Sequence, residues 1–172
     1  MSHAPVTALG KMPTRWRLMA TPVFSVMLAS AACSFVPIIA QAPLIPPLGL
    51  LVLLSWRLIH PDLWPMWIGA ALGAFDDLVT GQPLGASVFL WSVVLLGIEL
   101  VEQRIIWRDY WHDWLMAGLA ILLCIGGTWA FARMGGNTTP VLLILPQILW
   151  SVLIYPLMVR VIARLDRWRI MA

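Results

Sequence analysis

The sequence predicts an all-α, polytopic integral membrane protein: six transmembrane helices, with the N- and C-termini cytoplasmic. Three observations carry that reading. The 172 residues are 61% hydrophobic and 11% charged, against about 25% charged in a soluble domain, and mean hydropathy is +0.88. Six apolar segments, 19–41, 44–59, 63–80, 84–106, 114–132 and 141–163, fill the chain, and most approach the ~20 residues a helix needs to cross a bilayer. The basic residues then alternate with those segments. Of eleven Lys and Arg, ten fall on one side and only Arg133 on the other, which by the positive-inside rule makes the first side cytoplasmic. Residues 1–172 therefore read as a single membrane domain.

The segments follow in order. Lys11, Arg15 and Arg17 precede the first. It stays apolar through Phe35-Val36-Pro37-Ile38-Ile39-Ala40, where a cleaved signal would give way to a polar mature region, so an uncleaved first helix is expected. The second segment is the shortest. It opens among Pro43, Pro46 and Pro47, so its outer end is expected to be irregular or tilted. Arg57 marks its cytoplasmic end. The third carries Asp76 and Asp77 and stops at Gly81-Gln82-Pro83, a turn signal. The fourth ends in Glu99, Glu102 and Arg104, read as a solvated helix end with a snorkelling arginine. Residues 107–113 form the largest polar connector. The fifth holds Gly126-Gly127, assigned to helix packing, and leads to a Gly135-Gly136 turn. The sixth runs into the basic cluster Arg160, Arg164, Arg167 and Arg169, which most simply meets anionic lipid headgroups or, alternatively, a cytoplasmic partner. Asp166 is expected to pair with its arginine neighbours. Trp16, Trp56, Trp64, Trp67, Trp107, Trp111, Trp114 and Trp168 all fall near cytoplasmic ends, as interface anchors do, whereas Trp91, Trp129 and Trp150 lie deeper.

Several function classes are excluded. The pI of 9.4 does not indicate nucleic-acid binding, because the basic residues stand at segment ends rather than in a patch. Cys33 and Cys124 lie in apolar segments and read as packing residues, not a disulfide. His3, His60 and His112 form no metal-ligand pair. Ser87 and Ser92 occupy no nucleophile elbow, and there is no phosphate loop. No catalytic, metal or cofactor residue is assigned.

Asp76-Asp77 needs a reason, since an acid at the centre of a membrane helix costs about 2.5–3.5 kcal/mol on insertion scales. Gly69, Gly73, Asp77 and Gly81 are spaced by four and share one helix face. Gly69-x-x-x-Gly73 is the small-residue pattern that lets helix backbones approach. Four readings are open: a structural carboxylate accepting hydrogen bonds from the Thr80 hydroxyl or the turn amides, a docking site for another membrane protein, a proton or ion relay, and catalysis. Neighbouring helix residues do not converge on one reacting atom, which counts against the last.

The run Leu72-Gly73-Ala74-Phe75-Asp76-Asp77-Leu78-Val79-Thr80-Gly81-Gln82-Pro83-Leu84-Gly85 resembles the signature of the bacterial rod shape-determining MreD family. Asp77, four before Gly81, takes the place of the family acid, and Asp76 falls where the family is usually apolar or variable. Chain length, six-span layout and basic tail resemble the family too. The resemblance implies a non-enzymatic, multi-pass subunit of the elongation machinery for lateral cell-wall growth in the bacterial cytoplasmic (inner) membrane, without cofactors. Its partners would be a bitopic MreC-like protein, an MreB-type filament, a RodA-type glycosyltransferase and the cognate penicillin-binding transpeptidase. The site expected to seat a partner or order the turn is Gly69, Gly73, Asp76, Asp77, Gly81, Pro83 and Gly85. The family is also similar in fold to the six-helix substrate-binding components of vitamin transporters, which supplies the alternative of a small-molecule-binding membrane subunit.

Overall fold

Proline placement and apolar patterning set the helices. The computed structural model describes residues 15–35, 45–61, 64, 65, 67–104, 110–136, 138 and 140–171, without the side chains of 15–19, 34, 35, 110 and 169–171. Lys11, Trp107, Arg108, Asp109, Asn137 and the connector 41–43 lie outside the described residues, as do the side chains of Arg15, Trp16, Arg17 and Arg169. The elements are α1 (Arg15–Phe35), α2 (Leu48–Ile59), α3 (Ile68–Thr80), α4 (Ala86–Glu102), α5 (Tyr110–Met134) and α6 (Leu145–Met171), with one 3₁₀ turn at Val141–Leu143 before α6. No strand occurs among the described residues.

The shortest helix is the centre. α2 is apolar on every side and is buried from Gly49 to Leu58, as expected of a helix with no polar stripe. Pro46 and Pro47 lack the amides a helix needs and disfavour helical backbone before them, so α2 starts at Leu48 and not at the expected 44. Its 12 residues rise only about 18 Å. Helices α1, α5 and α6 pack on it, α3 packs on α1 and α4, and α4 packs on α5.

Helices consecutive in the chain alternate in direction, which gives the bundle two distinct ends. One, the turn end, gathers the α3–α4 turn, the start of α2 and the start of α6. There the Cys33 thiol donates to the Pro46 carbonyl at 3.8 Å and the Gln147 amide donates to the Ile45 carbonyl at 2.8 Å. The other, the terminal end, gathers the C-terminal parts of α2, α4 and α6.

Four expectations change. Trp56 is not an interface anchor. It is fully buried, and its indole N–H donates to Ser25 Oγ at 2.8 Å; Trp64 is buried as well. Part of the 107–113 connector is helical, because α5 already begins at Tyr110. The helix bearing the basic cluster does not stop at 163. It continues to Met171, with Arg160, Arg164 and Arg167 exposed along it. Asp166 takes His60 of α2 as partner, Nε2 to Oδ2 at 2.7 Å.

Helices α5 and α6 are long and apolar enough to cross a membrane by length and composition. Their outward residues, among them Leu119, Leu122, Leu149 and Leu153, are exposed leucines, the surface expected against lipid tails rather than water.

Candidate functional site

The glycine stripe builds the site by bringing two backbones together. A Cβ at Gly73 would lie 2.6 Å from the carbonyl oxygen of Ser87 and 2.8 Å from the amide nitrogen of Val88. One at Gly69 would lie 2.6 Å from Leu95 Cδ1 and 3.4 Å from the Trp91 backbone. The close-approach face of α3 is thus occupied by α4 of the same chain.

That contact carries Asp77, one turn further along the stripe, to the N-terminus of α4. Its Oδ2 accepts the Gly85 amide at 2.8 Å and its Oδ1 the Ser87 amide at 2.9 Å. The first amides of any helix lack intrahelical partners, and α4 cannot supply its own acceptor, since its N-cap is Gly85. Asp77 caps it from a neighbouring helix and places a carboxylate at the positive end of the helix dipole. The side chain is 1% exposed. A buried acid here needs no cation, because two backbone N–H groups and the dipole stabilise its charge.

The turn follows from the same requirement. Gly81 closes α3 at φ 68° and Gly85 opens α4 at φ 97°, left-handed conformations that favour glycine. The Gly81 amide donates to the Asp77 carbonyl at 3.2 Å, and the Pro83 carbonyl accepts the Ala86 amide at 3.0 Å. The Thr80 hydroxyl donates to the Asp76 backbone carbonyl at 2.7 Å and to neither carboxylate.

Asp76, one position earlier, has different surroundings. It is 8% exposed and accepts from the Ser87 hydroxyl at 3.3 Å. Gly49 at the start of α2 makes room for it, since a Cβ there would come within 3.3 Å of Asp76 Oδ1 and would collide with Ser30 Oγ. Asp76 and Ser87 line a cavity of about 370 Å³ at the turn end. It is lined by Pro47 just before α2, Leu50 of α2, Trp91 of α4, Thr128 and Trp129 of α5 and Gln147 of α6. The cavity exists because α2 starts late: a central helix about 18 Å long stops short of a bilayer's ~30 Å core and leaves space above its first residues. Arg133 also lines it and holds its guanidinium 5.1 Å from the Trp129 ring centroid.

The structure therefore gathers Gly69, Gly73, Asp76, Asp77, Gly81, Pro83 and Gly85 at one junction, and sets Arg160, Arg164 and Arg167 on the far half of α6. Sequence reasoning missed Ser87, Gln147 and Arg57. Ser87 had a legible signal, two residues after Gly85 where a helix start leaves amides unpaired. Arg57 is not a loop charge at the end of a span. It is 4% exposed and pairs with Glu102 at 2.9 Å and Glu99 at 3.8 Å, so Glu102 is not simply a solvated helix end. Nothing in the order of residues announces that pairing.

A helical bundle with long apolar outer helices and an acid-capped tight turn between two backbone-packed helices defines the class of an all-helical membrane protein rather than a soluble domain. The family model for the rod shape-determining protein MreD matches residues 13–167, and the chain belongs to that family. Its cellular role is in rod-shape determination, as a shape-determining structural subunit of a bacterial membrane. Neither curated proteins nor solved structures give a match.

Proposed function

We propose that this chain is a non-catalytic scaffold subunit of the cell-wall elongation machinery in the bacterial inner membrane. It would cross that membrane six times with both termini cytoplasmic, and would assemble with an MreC-like bitopic protein, a RodA-type glycosyltransferase, its penicillin-binding transpeptidase and an MreB-type filament. The family match over residues 13–167 is the observation that carries the reading. The distribution of basic residues supports this orientation, in which the turn end would lie at the outer face. α4 already fills the glycine stripe of α3, so the proposed seat is the neighbouring cavity beside the Asp77-capped turn. There an emerging segment of the bitopic partner would insert between α4, α5 and α6, while the exposed Arg160, Arg164 and Arg167 would meet anionic headgroups or a cytoplasmic partner.

The cavity also favours a second reading. At about 370 Å³ it falls within the range of small-molecule sites, as in a vitamin-type transporter's binding subunit. Depletion in the native rod-shaped host, with affinity capture of the tagged chain, separates the two. The scaffold reading expects rounded cells and an eluate containing the bitopic protein and wall synthases. Normal shape with capture of an energising ATPase module would sink it in favour of transport.

A further inference from the structure

We infer that the cavity at the turn end recognises a cationic side chain, a lysine or arginine, carried by the outer juxtamembrane segment of the bitopic protein partner, and that Asp76 is the residue that receives it. The inference rests on the docking reading above and adds the chemistry of the occupant.

Four observations converge. Asp76 is more than nine-tenths buried and lines the cavity, yet among the described residues no cation pairs with it; the ion pairs are Arg57–Glu99, Arg57–Glu102 and His60–Asp166. Asp77 makes the two amide contacts at the helix start, so those donors are not shared with Asp76, whose contact with Ser87 is a long 3.3 Å. Gln82 lines the same cavity with its side-chain oxygen buried and without a donor. The Gln147 amide already donates to the Ile45 carbonyl. Arg133 lines the cavity too, but its guanidinium lies over the Trp129 ring and, among the described residues, forms no ion pair with Asp76, so the two buried acceptors Asp76 and Gln82 stay without a charged donor. Trp91 adds an aromatic face, which attracts ammonium and guanidinium groups; the Trp129 ring already carries Arg133. A buried carboxylate without a counter-charge is costly, and a cationic side chain from outside would supply both the charge and the missing donors.

The test uses the full-length chain co-expressed with its bitopic partner and measures recovery of the partner on the tagged chain. Asp76→Asn keeps the shape and should lower recovery about tenfold or more, the scale of truncating one side of a buried charge pair. Asp76→Lys should abolish it, and one Lys→Glu or Arg→Glu substitution in the partner's outer juxtamembrane segment should restore it. That same partner position changed to Gln should lose recovery alone, which leaves the fold of this chain untouched. Thr128→Trp, which fills the cavity, tests the docking reading separately. Wild-type recovery in Asp76→Asn with loss in Thr128→Trp overturns the cation and leaves the seat standing. Wild-type recovery in both overturns the seat as well. Loss in Asp76→Asn that no partner substitution mirrors, with an aminophospholipid retained by wild type and lost by the variant in native mass spectrometry, overturns the protein cation in favour of a lipid headgroup.

Discussion

The two ends of the bundle both bury charge, and they neutralise it by different means. At the terminal end the acids meet side-chain donors: Arg57 with Glu102 in an ion pair and His60 with Asp166 in a hydrogen bond, each pair joining segments that are distant in sequence. At the turn end Asp77 meets no cation and is held by the amides of Gly85 and Ser87. Its neighbour Asp76 has neither solution and faces a cavity. An ion pair has flexible side chains, and the acid of the Arg57 pair, 20% exposed, reaches water when its partner is lost. A backbone cap has a rigid partner that cannot, and in a bilayer an unpaired amide has no solvent to turn to. The turn end should therefore be the more brittle of the two.

The largest break is expected at Gly73. In Gly73→Val the new atoms would meet the Ser87–Val88 backbone rather than a side chain that can swing away, so α3 and α4 must separate. A loss of about 3 kcal/mol or more follows, roughly 6–12 °C in melting temperature for a chain of this size; an unchanged melting curve in detergent would mean the two helices are not in backbone contact. Next, Asp77→Ala orphans two amides at once and should cost about 2–4 kcal/mol. Asp77→Asn keeps one acceptor and should lose about half of that, while Asp76→Asn should change stability by less than about 1 kcal/mol. Equal effects at 76 and 77 would erase the distinction between the cap and the cavity acid. At the terminal end, Arg57→Met leaves Glu102, whose side chain is 20% exposed, without its charge partner and should cost about 1–3 kcal/mol. The double variant with Glu102→Leu should recover most of it, read as a coupling energy in a double-mutant cycle. The smallest effect is expected from Asp166→Asn. His60 is 33% exposed, so the loss should stay below about 1 kcal/mol.

Much of the fold was legible because membrane helices announce themselves one segment at a time. Apolar length and flanking charge placed all six helices near their observed positions. The proline cluster at 43–47 signalled that the second would be short. What failed was whatever depends on a second element. Trp56 reads as an interface residue from its position beside Arg57, yet it sits inside because α2 is the central helix and has no outer face. Asp166 has Arg164 and Arg167 nearby in sequence, but along α6 residues one and two apart do not face each other, and His60 lies within reach across the bundle; Arg169, three apart, has its side chain outside the described residues. For the site, Gly69, Gly73, Asp77 and Gly81 were readable as one face from their spacing. That α4 is what they face was not, because a small-residue stripe fits an internal helix as well as a foreign one. The cavity needed the start of α2, the α3–α4 turn and α5 together, and no single segment records it.

The unequal helix lengths have a consequence for the bilayer itself. Helices α2, α3 and α4, with 12, 13 and 17 residues, rise about 18, 20 and 26 Å, whereas α5 and α6, with 25 and 27 residues, rise about 38 and 40 Å. The hydrocarbon core of a typical membrane is ~30 Å. On the six-span reading proposed above, lipid beside the α3–α4 flank would thin to match, and lipid beside α5 and α6 would face no such demand. Melting temperature should accordingly rise on moving from long-chain to short-chain phosphatidylcholine, by more than in a bundle of uniform span. On that reading the chain would act as a wedge in membrane thickness, and the strained lipid along its thin flank would draw in neighbours with equally short spans before any residue of the two proteins touched.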